Sequence, residues 1–346
     1  MNHGILNNLR LRKKMTSQKP LALPKPKEHG AWGMLYIPFM IAVGITRIFD
    51  LRILLLLLAV TFVFLSQRPL TQFINARESW FSLNSWRWNL IWLGLYCGAS
   101  AILFAVLFFY YQLVFLFWFG LIGIPVGGTF LFLLKQNRGR TVLGELVGIL
   151  GLTMTAPLVH SVAVGRIQPM GFWIWGLSFL YFSSSIFYVK ATVQDFVRAK
   201  TRARMTVGQA VVEGVPRPLP FMKSSERFDP ILPRSEDTGN ASGASNSSVA
   251  YKLLAFKEPY EFLSTRQLCR GYHWGLLILV GTLVISQKLP ILTLWAFAPV
   301  IVRGLWEPRT AGMRLNLRRI GWLEVTYSII FALFTIWAMR LETFAR

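Results

Sequence analysis

Cysteine is almost missing from this chain: Cys97 and Cys269 are the only two among 346 residues. Two thiols without metal-type spacing give neither a disulfide framework nor a cysteine-based metal site. Charge is scarce as well, at 15%, against roughly 25% in ordinary soluble domains. Acids are the scarcest charged class, with 15 Asp and Glu against 37 Lys and Arg and a net charge of +22. No P-loop, no dinucleotide glycine fingerprint and no zincin histidine pair occurs. Residues 1–27 hold basic but no acidic side chains and lack the apolar core of a secretory signal. They read as a basic cytoplasmic tail, with a transit peptide as the alternative.

What the chain has in quantity is apolar side chains: 54% of residues, with 13 Trp and a mean hydropathy of +0.47. Several runs approach 20 residues with few charges, enough to cross a hydrocarbon core of about 30 Å as helix. The fold class expected is an all-α polytopic membrane protein with nine spans, near 31–47, 52–66, 88–109, 112–134, 142–164, 171–190, 272–287, 289–305 and 320–339. Pro69 reads as a stop after the short second span. "KLP" at 288–290 reads as the turn of a helical hairpin.

Alternating these spans sorts the basic residues: 31 of the 37 Lys and Arg fall on one side and 6 on the other. Setting aside loop 190–271, the split is 18 against 6. The positive-inside rule then predicts a cytoplasmic N-terminus and a non-cytoplasmic C-terminus. The net charge fits basic loops facing anionic lipid head groups, so the bilayer, and not nucleic acid, is the expected partner. Residues 28–205 form a six-span region and 206–270 a cytoplasmic loop. Its stretch 212–250, rich in Pro, Ser, Gly and Asn, reads as a disordered linker. Residues 271–346 form a three-span region.

Polar residues near the cytoplasmic ends are the candidates for chemistry. They are Glu28 and His29 at the head of the first span, Arg68, Asn75, Arg77 and Glu78 after the second, and Lys135 and Arg138 after the fourth. Glu145 opens the fifth span, Tyr188, Lys190, Asp195 and Arg198 end the sixth, and Arg303, Arg309 and Arg314 follow the eighth. Together they would line a basic mouth suited to a diphosphate, a carboxylate or a lipid head group. Positive-inside decoration accounts for most of the cations by itself, and a helix-dipole role accounts for Glu145. Glu324, near Arg318 and Arg319, reads as an acid at a helix start. His160 reads as structural. Ser183 to Ser185, with Thr153 and Thr155, read as helix–helix contacts. In "KEHGAWG", the small residues 30, 31 and 33 are expected to admit a close neighbouring helix, and Pro38 to kink the span. His29 is either a polar helix start or a side chain turned into the mouth beside Asp195 or Glu145.

"PKEHGAWGMLYIPFMIAVG" resembles the N-terminal signature of the YwiC-like family of bacterial integral membrane proteins. Pro24, His29, Gly30, Ala31, Trp32 and Pro38 carry the likeness, which implies a family core over about 24–210. The nine-span layout is also similar to UbiA-type intramembrane prenyltransferases, whose catalytic loops follow helices two and six. That resemblance implies a UbiA-like bundle and a Mg²⁺–diphosphate site at Asn75, Glu78 and Asp195. One acid per cluster among arginines departs from the family pattern and makes a poor Mg²⁺ cage. Mg²⁺ is therefore a cofactor only if the transferase reading holds. Three functions stay in view: binding or moving an anionic, amphipathic or isoprenoid small molecule, a divergent prenyl transferase, and a membrane scaffold.

Overall fold

The computed structural model describes residues 29–76, 83–136, 138–212, 265–306 and 317–345. The side chains of 29, 75–76, 83–86, 197–212, 317–320 and 342–345 lie outside that description. So do the basic tail and the expected linker, apart from Val212. Among the described residues the fold is all helix: α1 (His29–Thr46), α2 (Leu51–Ala76), α3 (Leu83–Ala105, ending in a π-helical turn Val106–Tyr110), α4 (Leu116–Lys135), α5 (Val142–Thr153), α6 (Thr155–Val164), α7 (Pro169–Val212), α8 (Thr265–Ile285), α9 (Leu292–Leu305) and α10 (Leu317–Ala345).

Seven stretches among the described residues are long and apolar enough to cross a membrane, α5 and α6 counting as one. The protein is therefore an all-α, multi-pass integral membrane protein. The count of nine spans is not reached. The first and eighth expected spans are shorter apolar helices, Gly30–Thr46 and Leu292–Leu305. At 1.5 Å per residue, the 14 residues of α9 rise only about 21 Å.

Two boundaries also differ. Helix α2 does not stop at Pro69 but runs through it to Ala76. Proline removes one amide donor, which a membrane helix tolerates when hydroxyl side chains serve the backbone. The carbonyl left without its amide is Leu65 O; in the turns on either side Ser66 Oγ donates to Val63 O and Thr71 Oγ1 to Gln67 O, both at 2.7 Å. Helix α7 continues 22 residues beyond Lys190 to Val212. The stretch "ATVQDFVRAKTRARMTV" is rich in Ala, Lys, Arg and Gln, good helix formers, and has no Pro or Gly to stop it.

Helix α1 sits between two hydrophobic cores. One gathers Ile41 with Ile149, Leu177, Tyr181, Phe297, Phe331 and Met339, from α5, α7, α9 and α10. The other gathers Phe39 and Ala42 with Ile53, Leu56, Leu107 and Val159, from α2, the π turn and α6. A short, wholly apolar helix suits this place, because neighbours cover it on several sides.

The fifth span is broken at Met154. Pro157 has no amide to give Thr153 O, and its ring crowds that carbonyl, so α5 ends and α6 starts again one residue later. Neighbouring helices serve the carbonyls loosened near these prolines. Trp175 Nε1 donates to Leu150 O at 3.1 Å. Thr155 Oγ1 donates to Leu35 O at 3.0 Å, one turn before Pro38 of α1.

The close approach expected at residues 30 and 33 lies elsewhere. A Cβ on Gly30 or Gly33 would meet nothing within 4 Å among the described residues. At Gly44 it would lie 2.5 Å from Ile336 Cδ1 of α10. Trp32 packs edge-on against Phe64 of α2, centroids 4.8 Å apart, and Tyr36 bonds Thr61 of the same helix at 3.0 Å. The aromatic half of the motif therefore serves α1–α2 packing.

Candidate functional site

Glu145, in the first turn of α5, lies 3.4 Å from Lys190 Nζ of α7. That ammonium also donates to Arg140 O at 2.9 Å. Thr141 caps α5 by accepting from Gly144 N at 3.2 Å, so the carboxylate sits at the positive end of a capped helix. Both ionic side chains are partly solvated, 33% and 21% exposed. Five residues further along α7, Asp195 pairs with Arg266 of α8 at 2.8 Å. Structure thus joins Glu145 to Lys190 but gives Asp195 a different cation.

A deeper junction lies where α7, α9 and α10 meet. Arg303, in the last turn of α9, pairs through Nη1 with Glu324 Oε1. The two side chains are only 10% and 19% exposed. Ser185 Oγ donates to the other carboxylate oxygen at 2.7 Å. The guanidinium carbon lies 4.0 Å from the Tyr188 ring centroid and 5.1 Å from that of Tyr327, within cation–π range. One turn deeper, Tyr181 stacks on Phe331 with centroids 4.1 Å apart and leans on Phe297. This apolar floor keeps water from the pair and strengthens its attraction. Nε and Nη2 of Arg303 find no acceptor among the described residues.

His273 of α8 closes the junction. It is fully buried, and its Nδ1 lies 2.7 Å from Cys269 O. A carbonyl only accepts, so Nδ1 carries the proton in the neutral ring and Nε2 keeps its lone pair. Nε2 has no partner among the described residues. A Cβ at Gly304 would fall on the His273 ring, so only glycine beside Arg303 admits the imidazole. Tyr272 Oη donates to Leu180 O at 2.7 Å and ties α8 to α7.

The remaining candidates scatter. Arg68 is half-buried on α2, while Lys135 and Arg138 are exposed around the α4–α5 turn. His29 heads α1, Asn75 ends α2 and Arg198 lies within α7, but their side chains are outside the described residues, as are Glu28, Arg77, Glu78, Arg309 and Arg314 altogether. His160 is buried in α6, and a Cβ at Gly171 of α7 would lie 3.3 Å from its Cβ. Ser185 and Thr155 bond across helices as expected, whereas Thr153 and Ser184 return to carbonyls of their own helices. Glu324 is the residue that sequence reasoning misplaced. Its neighbours Arg318 and Arg319 suggest a helix-start acid, yet it turns across to Arg303. The available signal is that Glu324 is the sole acid inside the apolar run 320–339. Among the described residues no three His, Cys, Asp or Glu side chains gather to hold a metal ion.

The family described as "YwiC-like protein" matches residues 26–160. This segment is YwiC-like. The YwiC-like segment takes in α1 to α5, reaches into α6 and stops short of the Arg303 junction. The uncharacterized protein YwiC of Bacillus subtilis (strain 168) is 24% identical over 172 residues, 49% of this chain and 67% of the relative. No solved structure matches the chain.

Proposed function

We propose that this membrane protein binds, and moves between membrane and cytoplasm, an anionic or amphipathic small molecule, which it admits at the basic ends of α4, α5, α7 and α9. The N-terminus is cytoplasmic in this reading, so Lys135, Arg138, Lys190 and Arg303 face the side where the chain concentrates its cations. The observation that carries it is the Arg303 guanidinium, nine-tenths buried between two tyrosines with donors unused. Burying such a charge is expensive and commonly marks a functional pathway in a membrane helix.

A transferase would need Asp195 to share a metal with Asn75 and Glu78. The Asp195 carboxylate is instead paired with Arg266, and anion binding asks nothing of it. The test uses full-length protein in phosphatidylcholine nanodiscs, with inorganic phosphate, pyrophosphate, dodecanoate, dodecyl phosphate and uncharged dodecanol as probes. Saturable binding of at least one anion, with a rise in Tm that dodecanol does not give, is expected. Failure of every anion to bind or to shift Tm would leave the scaffold reading in its place.

A further inference from the structure

The surroundings of Arg303 leave one side of its guanidinium unspoken for. The guanidinium carbon lies over the rings of Tyr188 and Tyr327, and Glu324 takes Nη1. The atoms without an acceptor, Nε and Nη2, form one edge of the planar group. Their N–H bonds run nearly parallel, and this is the fork that grips two oxygens of one carboxylate or phosphate. A lone unsatisfied donor would suggest a packing fault. Two adjacent ones on the same edge, on a guanidinium fixed by an ion pair and two nearby tyrosine rings, have the form of a bidentate receptor.

A second observation lies next door in sequence and space. His273, wholly buried, presses its ring on Gly304, the residue after Arg303, and keeps Nε2 unpartnered. An unused acceptor on α8 therefore lies against Gly304, one residue along α9 from the unused donors of Arg303. Buried polar atoms are nearly always paired in folded proteins, so two donors on one Arg303 edge point to an acceptor ligand, and the Nε2 lone pair can take part only through an acidic proton on that ligand, as in monoprotonated phosphate.

We infer that the Nε–Nη2 edge of Arg303 is the recognition element for an oxyanion with two acceptor oxygens, a phosphate or carboxylate group. Glu324 and Ser185 are positioning residues that fix the guanidinium, and Tyr188 and Tyr327 hold its plane. This inference rests on the anion-binding reading above and places its site. Both donor atoms are buried in this structure, so binding needs a local opening around the guanidinium. The source of the oxyanion, a lipid head group or a free anion, is separated by comparing dodecyl phosphate with inorganic phosphate.

The experiment measures dissociation constants for these two probes and for dodecanoate in phosphatidylcholine nanodiscs. Three proteins are compared: wild type, Arg303→Lys and, as a control in the exposed α8–α9 turn, Lys288→Gln. Lysine keeps the charge but loses the fork, so Arg303→Lys is expected to weaken binding at least about tenfold, and Lys288→Gln less than about twofold. Because Arg303→Lys also weakens the hold on Glu324 and so puts folding at risk, the Arg303→Gln/Glu324→Gln pair, which buries no lone charge, repeats the comparison. A structure of wild-type protein with dodecyl phosphate reads the site without any variant, with phosphate oxygens expected about 2.8 Å from Nε and Nη2. Phosphate bound elsewhere, or unchanged affinity in a folded Arg303 variant, overturns the inference while the anion-binding reading stands. Wild type that binds none of the probes removes both.

Discussion

Thr155 Oγ1 donates to the backbone carbonyl of Leu35 at 3.0 Å, across 120 residues of chain. The bond joins the start of α6, just past the break at Met154, to the turn of α1 that precedes Pro38. The hydroxyl also lies 3.2 Å from Leu152 O of its own turn. Thr155 is 4% exposed, so water does not replace the hydroxyl if it is lost. Thr155→Val keeps the shape and removes the donor. It is expected to cost about 1–2 kcal/mol, and Thr155→Ser well under 1 kcal/mol. Reversible SDS unfolding in mixed micelles measures both, and a larger loss for Ser than for Val would show that the methyl group matters instead.

The other end of α1 is closed by α10. Arg340 Nη2 donates to Gly44 O, placing a cation at the negative end of the α1 dipole. Beside it, Ile336 fills the space where a Cβ at 44 would stand. Gly44→Ala is expected to destabilise by about 1–3 kcal/mol through overpacking. Adding Ile336→Val should recover part of that, making the pair non-additive by at least about 0.5 kcal/mol. Simple additivity in the double-mutant cycle would mean that α10 shifts freely away from α1.

The sequence made the membrane class, the helical segments and the hairpin at 288–290 readable, because apolar run length answers directly to bilayer thickness. It misled at Pro69 and Lys190, where proline and charge suggest an end but local backbone needs and helix propensity carry the helix on. The break at Met154 was hidden inside an unbroken apolar run, with Pro157 as its only local sign. At the site, Glu145 and Lys190 both stand out in the sequence, and their pairing follows from α5 and α7 lying together. The Arg303–Glu324 pair was not legible. The residues stand 21 apart on either side of a connection, and nothing local tells Glu324 to prefer Arg303 over the nearer Arg318 and Arg319. Gly30 and Gly33 show the reverse: they have the small-residue pattern of a helix contact, yet the contact falls at Gly44.

Asp50 caps α2, accepting from Ile53 N at 3.1 Å and from Arg52 Nε at 2.6 Å. Burial alone would raise its pKa, but the bonds from Arg52 and the Ile53 amide prevail and hold the carboxyl below its ordinary value of 3.8. A carboxyl whose pKa is lowered on folding adds stability above its unfolded value, and that stability is lost as pH falls through the folded value. Asp50→Ala is expected to cost about 1 kcal/mol at pH 7. Asp50→Asn keeps a cap without the charge and should flatten the decline of Tm below pH 4. An unchanged acid limb in Asp50→Asn would place the acid sensitivity on other carboxylates.

Orientation can be read from outside the cell. On the nine-span layout expected from the sequence, 31 of the 37 basic residues fall on the side of the N-terminus, and a C-terminal fusion after Arg346 should then be active as alkaline phosphatase and dark as green fluorescent protein. The reverse pattern would turn the basic ends outward and remove their attraction to the anionic inner leaflet.

The pair of Glu145 and Lys190 separates stability from recognition. Both side chains are partly solvated and 3.4 Å apart, and exposed pairs of this kind contribute about 0–1 kcal/mol. Glu145→Gln should therefore leave Tm nearly unchanged. It also removes a negative charge from the end of the bundle proposed to admit anions and leaves Lys190 without that ion pair. Long-range attraction changes the rate of encounter more than the rate of escape. The association rate of dodecyl phosphate should rise about two- to threefold at low salt and return to the wild-type value near 0.5 M salt, where screening shortens to about 4 Å. Lys190→Gln should lower it by a similar factor. If neither substitution alters association, the anion does not pass this end of α5 and α7, and entry must be sought where α9 meets α10.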